Sequence, residues 1–206
     1  MSFAPSLVAA ALLVASLSSQ AAPNLITNGS FEDTVVPVNT WVILPGVPGW
    51  TGVPDIELRN DFDGPAQDGV NYVELDTFAN SSMSQTFAAT GLVRLSFWYG
   101  PRANANALAG SNDLSFSLGN LSGTLLEGVP GGTPIQWIHY SGIADVGSSG
   151  SATLTFSALG LSDMIGGSID NVSVTAVPEP ETAALLLAGL LVVGTAARRR
   201  GRAANL

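Results

Sequence analysis

Apolar and polar residues alternate with a period of two along the central part of this chain, in short runs broken by Gly, Ser, Asn, Asp and Thr. Val93, Leu95, Phe97 and Tyr99 fall on one face of a run whose other face carries Arg94, Ser96 and Trp98. Leu114, Phe116 and Leu118 alternate with Ser115 and Ser117, and Leu154, Phe156 and Ala158 with Thr153, Thr155 and Ser157. Asn71–Leu75 places Val73 and Leu75 together, opposite Tyr72 and Glu74. Met83–Phe87, Ile135–Ser141 and Ile169–Val174 read the same way. Side chains on a strand point alternately to opposite faces, so this pattern predicts half-buried strands rather than helices. Eight to ten short strands with one wet face predict an all-β antiparallel β-sandwich. The longest loop is expected at Gly100–Asn112.

The two ends break the pattern. Leu7 to Leu17 is an apolar run of signal-peptide length, followed by small residues that suit cleavage after Ala21. Near the other end, Val177-Pro178-Glu179-Pro180 is stiff and extended, because each proline fixes its own φ and biases its predecessor away from helix. An uncharged run, Ala183–Ala197, predicts a short transmembrane helix. Its length suits a span if Arg198, Arg199, Arg200 and Arg202 snorkel to a cytoplasmic interface. The expected division is a signal helix over 1–21, a β-sandwich ectodomain over 22–177 and a membrane-directed tail over 178–206.

This division changes the meaning of the charge. The 206 residues carry a formal net charge of −9, with no Lys. Between Pro23 and Val177 only Arg59, Arg94 and Arg102 face fourteen acids, 3 − 14 = −11. Such a domain lacks the Lys/Arg footprint that nucleic acid requires. With no Cys and only His139, thiol catalysis, disulfides, thiolate zinc sites and sites with two His ligands are excluded. His139 lies in a strand-like stretch with no nucleophile elbow, and the glycine-rich loops lack a Walker Lys. The residues therefore read as those of a non-enzyme. A glycan-active enzyme with a carboxylate pair, or a purely structural envelope protein, stays as an alternative.

Binding is the easier reading. Sugars pack their C–H faces on aromatic rings and bond to planar polar groups such as Arg, Asn and Asp. Arg94 and Trp98 share a strand face about 13 Å apart at 3.3 Å per residue, a spacing suited to two points on an extended glycan. Tyr72 adds a further outward aromatic. Trp98 equally suits satellite core under the Gly100–Asn112 loop. Trp50, after Pro48-Gly49, suits a structural corner, and Trp137 suits packing between the sheets.

Two resemblances add to these readings. Pro178-Glu179-Pro180, the short apolar stretch and Arg198, Arg199 and Arg200 resemble the PEP-CTERM sorting signal of exported proteins in Gram-negative bacteria that make extracellular polysaccharide. The resemblance implies an exosortase-type sorting machinery as partner. It also implies a single-pass inner-membrane precursor, attached by the C-terminal helix and later sent to the cell surface or extracellular matrix. The second resemblance runs through the ectodomain. Asn24-Leu25-Ile26-Thr27-Asn28-Gly29-Ser30-Phe31-Glu32, Pro48-Gly49-Trp50, Tyr72-Val73-Glu74-Leu75-Asp76, Ser84-Gln85-Thr86-Phe87, Leu95-Ser96-Phe97 and Gly166–Val174 follow one another as in galactose-binding-like jelly rolls, including carbohydrate-binding modules. This implies extracellular polysaccharide as a ligand. It also implies a structural Ca²⁺ where the opening and closing strands meet, held by Glu32 and Asp170 with carbonyls of the Gln67–Asn71 turn. Glu32 and Asp170 also read as ordinary solvated or hydrogen-bonded acids.

Overall fold

The computed structural model describes residues 22–102, 108–126 and 134–178, together with 187, 189–191, 193 and 194 of the tail. The expected signal segment 1–21 lies outside the described residues, as do Glu179, Pro180, Arg198, Arg199 and Arg200 and most of the expected transmembrane run. The described tail residues are helical, and among the described residues no helix is long and apolar enough to cross a membrane.

Ten strands form among the described residues: β1 Thr40–Val47, β2 Trp50–Asn60, β3 Asn71–Glu74, β4 Ser82–Ala88, β5 Leu92–Gly100, β6 Leu114–Leu118, β7 Leu121–Leu125, β8 Ile138–Asp145, β9 Ser151–Ala158 and β10 Ser168–Ala176. All pairings are antiparallel, in the order β7-β6-β9-β4-β2-β3-β10-β5-β8, with β1 beside β2. The alternation along β4, β5, β6, β9 and β10 is reproduced in their burial, and the fold is the expected all-β antiparallel sandwich.

The long strand β2 makes the sandwich from one continuous sheet. Thr51–Val53 pairs with β4, whereas Glu57–Asn60 pairs with β3. The change of partner brackets Pro54, which has no N–H for a ladder. The two halves of β2 thereby belong to facing layers. Phe116, Leu154, Phe156 and Met83 from one layer meet Leu58, Val73, Leu95, Phe97 and Ile169 from the other. Phe97 joins them, with its ring 4.9 Å from Phe156 and 5.3 Å from Phe116. Burying each such side chain contributes roughly 1.5–3 kcal/mol.

The opening segment closes against the last strand, as its motif order implies. Leu25 N–H donates to Val174 O, Val172 N–H donates to Gly29 O, and Asn24 bonds the same stretch of β10 through its side chain. A Cβ at Gly29 would run into Val172 O, so this close approach requires glycine. Trp50 is a corner residue as expected: it is buried, and its indole N–H donates to Asn28 O at 3.1 Å.

Two expectations change. The strand expected at Ile135–Ser141 begins only at Ile138. Ile135 instead donates its N–H to Asp63 O, which ties residues 134–137 to the β2–β3 connection. Trp137 therefore lies outside the space between the sheets. Its indole donates to Pro65 O, and its ring meets Tyr72 edge-on at 5.5 Å.

Candidate functional site: a polar sheet face and its cleft

The outer face of the β1-β2-β3-β10-β5-β8 layer concentrates the polar chemistry. Ile56, Leu58 and Val73 point into the core, so Glu57, Arg59, Tyr72 and Glu74 point the other way. Register aligns them in rows: Trp41, Arg59 and Tyr72 in one, Ile43, Glu57, Glu74 and Ser168 in the next. Period two alone would leave this face wet. The β2–β3 connection and residues 134–137 fold over it instead, and Arg59, Tyr72 and Glu74 are each at most 1% exposed.

Arg59 organises the covered region. Its guanidinium ion-pairs with Glu57 at 2.6 Å and Glu74 at 3.7 Å, and also binds the Asp63 carboxylate. Its carbon lies 5.4 Å from the centre of the Phe62 ring. Burial lowers the Arg59 pKa, but Glu74, Glu57 and Asp63 outweigh it and the net shift is upward. Burial pushes the Glu74 carboxyl up to about 8, against the pull of Arg59. Burial likewise raises the Tyr72 phenol, whose oxygen accepts from Asp63 N–H at 3.0 Å. Arg102 joins from the end of β5: its Nε is 3.4 Å from Asp63, and its Nη1 donates to Met164 O at 2.6 Å.

Beside this cluster opens a cleft of about 380 Å³, lined by Trp41, Ile43, Glu57, Thr77, Phe78, Arg102 and Met164. Trp41 on the edge strand β1 is 48% exposed and Phe78 in the β3–β4 connection is 76% exposed. The Trp41 ring is braced edge-on by Phe62 at 4.4 Å. The braced Trp41 ring, the exposed Phe78 ring and the ion-paired polar groups together form a surface suited to an amphipathic ligand.

The residues expected from the sequence are distributed around this centre. Tyr72 does face outward from its strand, but it is buried under the β2–β3 connection and offers no contact to a ligand in this conformation. Arg94 is exposed and Trp98 half-buried on the outer face of β5. The structure adds His139, which pairs with Trp98 across β5 and β8 at a ring distance of 4.9 Å and shares a 2.8 Å hydrogen bond with Ser96. Trp98 and Trp41 belong to one sheet face, but buried Arg59, Tyr72 and Asp170 separate them. Trp41 belongs to the aromatic residues that the sequence offers for sugar contact, whereas Phe78, Glu57, Arg59 and Arg102 were not singled out by the pattern. Glu57-Leu58-Arg59 is a short alternation after Pro54-Asp55, and Phe78 sits in a turn, where periodicity says nothing.

Glu32 and Asp170 grip the 67–71 turn from opposite ends. Asp170 Oδ2 accepts from Gln67 N–H at 2.7 Å and Asp68 N–H at 2.9 Å, while Glu32 Oε1 accepts from Val70 N–H at 2.9 Å and Asn71 N–H at 2.7 Å. Gly69 lies between them with φ +74°, and a Cβ there would collide with the Glu32 carboxylate. Burial pushes Asp170 up to about 7, against the Asp68, Asn171 and Gln67 N–H bonds. Among the described residues no ion pair joins either acid to an Arg. Two uncompensated carboxylates flanking one glycine turn fit a hard cation in charge. The turn presents amides to them, however, and no group of three His, Cys, Asp or Glu side chains converges among the described residues. Any further ligands would have to be backbone or amide oxygens.

A second hollow, about 430 Å³, lies on the outer face of the other layer among Ser115, Ser117, Ser122, Thr124, Thr155 and Ser157. These hydroxyls align in cross-strand rows with no charged neighbour in the lining. Only Phe116 adds an aromatic edge, and it belongs to the core.

Residues 176–200 match the PEP-CTERM protein-sorting motif. Such a tail marks exported proteins handled by exosortase. Comparison with curated protein sequences gives no match. Among solved structures, the chain is similar to TmCBM61 in complex with β-1,4-galactotriose, at 15% identity and TM-score 0.45, covering 75% of this chain and 99% of that one. It is also similar to a family 16 carbohydrate-binding module, at 12% identity and TM-score 0.46, covering 74% and 100%. A family 35 carbohydrate-binding module from Clostridium thermocellum aligns at 16% identity and TM-score 0.44, covering 67% and 99%.

Proposed function

We propose that the chain is an exported, surface-sorted protein of the Gram-negative envelope that binds extracellular polysaccharide without turning it over. The signal segment directs it through the inner membrane, the tail holds it there for exosortase-type machinery, and the β-sandwich does the binding. The observation that carries the binding reading is the cleft, in which Trp41 and Phe78 stand exposed as walls beside Glu57 and Arg102. Sugar C–H faces would stack on the two rings, and sugar hydroxyls would bond to polar groups already held in place by ion pairs. Arg94, Trp98 and His139 offer a second, flatter contact on the far side of the buried row. Calcium, if bound, would be held by Glu32 and Asp170 with backbone oxygens, fixing the 67–71 turn that covers the polar face. Its part would be structural.

A carboxylate pair favours a second reading, a glycan-active enzyme. Glu57 and Glu74 are cross-strand partners at the cleft, close enough for acid and nucleophile roles. Arg59 binds Glu57 through Nε and Nη2, both at 2.6 Å, and Glu74 is wholly buried, so neither is presented to a glycosidic bond in this conformation. The test is a glycan array with the full chain in detergent, read beside release of reducing ends from exopolysaccharide. Binding that is lost in Trp41→Ala with no new reducing ends supports the binding protein. Turnover lost in Glu57→Gln supports the enzyme.

A further inference from the structure

We propose that the cleft takes a neutral glycan by its chain end, one terminal residue deep, and not as an internal segment passing through a groove. This rests on the polysaccharide-binding reading above and specifies how that site would work. Thr77 lines the cleft and is only 3% exposed, yet its hydroxyl has no hydrogen-bond partner. Buried hydroxyls in folded proteins are nearly always paired, so an unpaired one on a cleft wall points to a partner that arrives with a ligand. Two neighbouring groups share this condition. Glu74, the cross-strand partner of cleft-lining Glu57, has a buried Oε2 that makes no hydrogen bond, with its ion-pair partner Arg59 3.7 Å away, and Ser168, the cross-strand partner of Glu74, has a buried Oγ that makes none. Unsatisfied polar atoms thus gather at and behind one wall of the cleft.

The course of the sheet beyond the cleft decides between an end and a segment. A glycan entering between Trp41 and Phe78 would have to cross Arg59, Tyr72 and Asp170 to reach Trp98. All three are at most 1% exposed, covered by the β2–β3 connection and pinned there by the Trp137 indole on Pro65 O and by Asp170 on the Gln67 and Asp68 amides. A polymer that reaches Thr77 has no onward path across this face. Its last residue would bond to Thr77, and the preceding one would lie between the exposed aromatic walls.

Charge selects the chemistry of that residue. Glu57 is ion-paired with Arg59, and Arg102 has Asp63 as counter-charge at 3.4 Å and donates to Met164 O, so each charge in the lining is already balanced, although Arg102 Nε itself makes no hydrogen bond. A carboxylate there would face Glu57 and buried Glu74. A hydroxyl donates to one unpaired oxygen and accepts from another without adding charge.

The test uses the full chain in detergent against neutral hexose and pentose oligomers of increasing length, tethered by their reducing ends, with cyclic forms of the same sugars as controls. Chain-end binding gives one affinity for every length beyond the disaccharide, no binding to the cyclic forms, and competition by the free disaccharide. Thr77→Val weakens binding about tenfold, the value of one hydrogen bond at a buried site, and Thr77→Ser restores it. An unchanged thermal midpoint in Thr77→Val shows that folding is intact. Affinity that climbs with each added residue, equal binding to the cyclic forms, or unaltered binding by Thr77→Val overturns the chain-end proposal while polysaccharide binding stands. Failure to bind any glycan overturns the polysaccharide reading itself.

Discussion

Glu57 on β2 and Glu74 on β3 stand opposite one another, and one terminal nitrogen of Arg59 lies 2.6 Å from the first carboxylate and 3.7 Å from the second. One guanidinium thus holds two carboxylates on adjacent strands, with Asp63 as a third partner. The arrangement is stable only while its charges remain matched, because Arg59, Glu57 and Glu74 are cut off from water.

Removing Arg59 leaves Glu57, Glu74 and Asp63 without their shared cation. Arg59→Met is expected to cost about 3–5 kcal/mol, the usual range for breaking a buried ion pair from one side. Urea unfolding measures the loss. Adding Glu57→Gln removes the carboxylate that Arg59 binds at 2.6 Å, so the double variant should recover part of the stability, a non-additivity read from the mutant cycle.

The burial of Glu74 and Asp170 predicts a pH slope. Their pKa values rise from 4.5 and 3.8 to about 8 and about 7 on folding. A carboxyl raised in this way binds its proton more tightly folded than unfolded, so its contribution is greatest below the unfolded value and is lost as pH climbs through the folded one. The thermal midpoint in EDTA should therefore fall from pH 5 to pH 8 and level off above. Glu74→Gln should flatten the upper part of that slope. A midpoint rising over the same range would contradict the assignment.

Trp41 and Phe78 are exposed walls, whereas Phe97 is fully buried against three aromatic rings. Trp41→Ala and Phe78→Ala should abolish retention on a polysaccharide matrix and change stability by less than about 1 kcal/mol, as surface substitutions do. Phe97→Ala should cost about 3–5 kcal/mol. Affinity electrophoresis and urea titration of the three variants separate binding from packing.

Chelation tests the cation. If Glu32 and Asp170 hold Ca²⁺, added calcium raises the thermal midpoint by mass action and EDTA lowers it, with the response lost in Asp170→Asn. An EDTA-insensitive midpoint would leave these acids with the amide bonds of the 67–71 turn as their whole function.

The strands most legible in the sequence are β5, β6 and β9. Each alternates cleanly, because one face must enter a core and the other must face water. β2 was hidden because Pro54 interrupts it, and β1 because Pro45 breaks its alternation next to a register shift. The tail was legible for a different reason: its signal is a linear order of motif, apolar run and Arg cluster, which needs no fold to be read.

The sequence by itself determined which face of each strand is apolar, and hence the sandwich. It also set the acidity of the domain and the address carried by its C-terminus. These depend on residues close in the chain. Only the tertiary structure decided that Tyr72 and Glu74, outward by periodicity, are buried, and that Trp41, Thr77, Phe78 and Arg102 share one cleft. Burial of an outward face depends on what folds over it, here the β2–β3 connection and Trp137. The cleft joins residues from β1, β2 and three connections, whose meeting is set by strand order and loop course rather than by any local pattern.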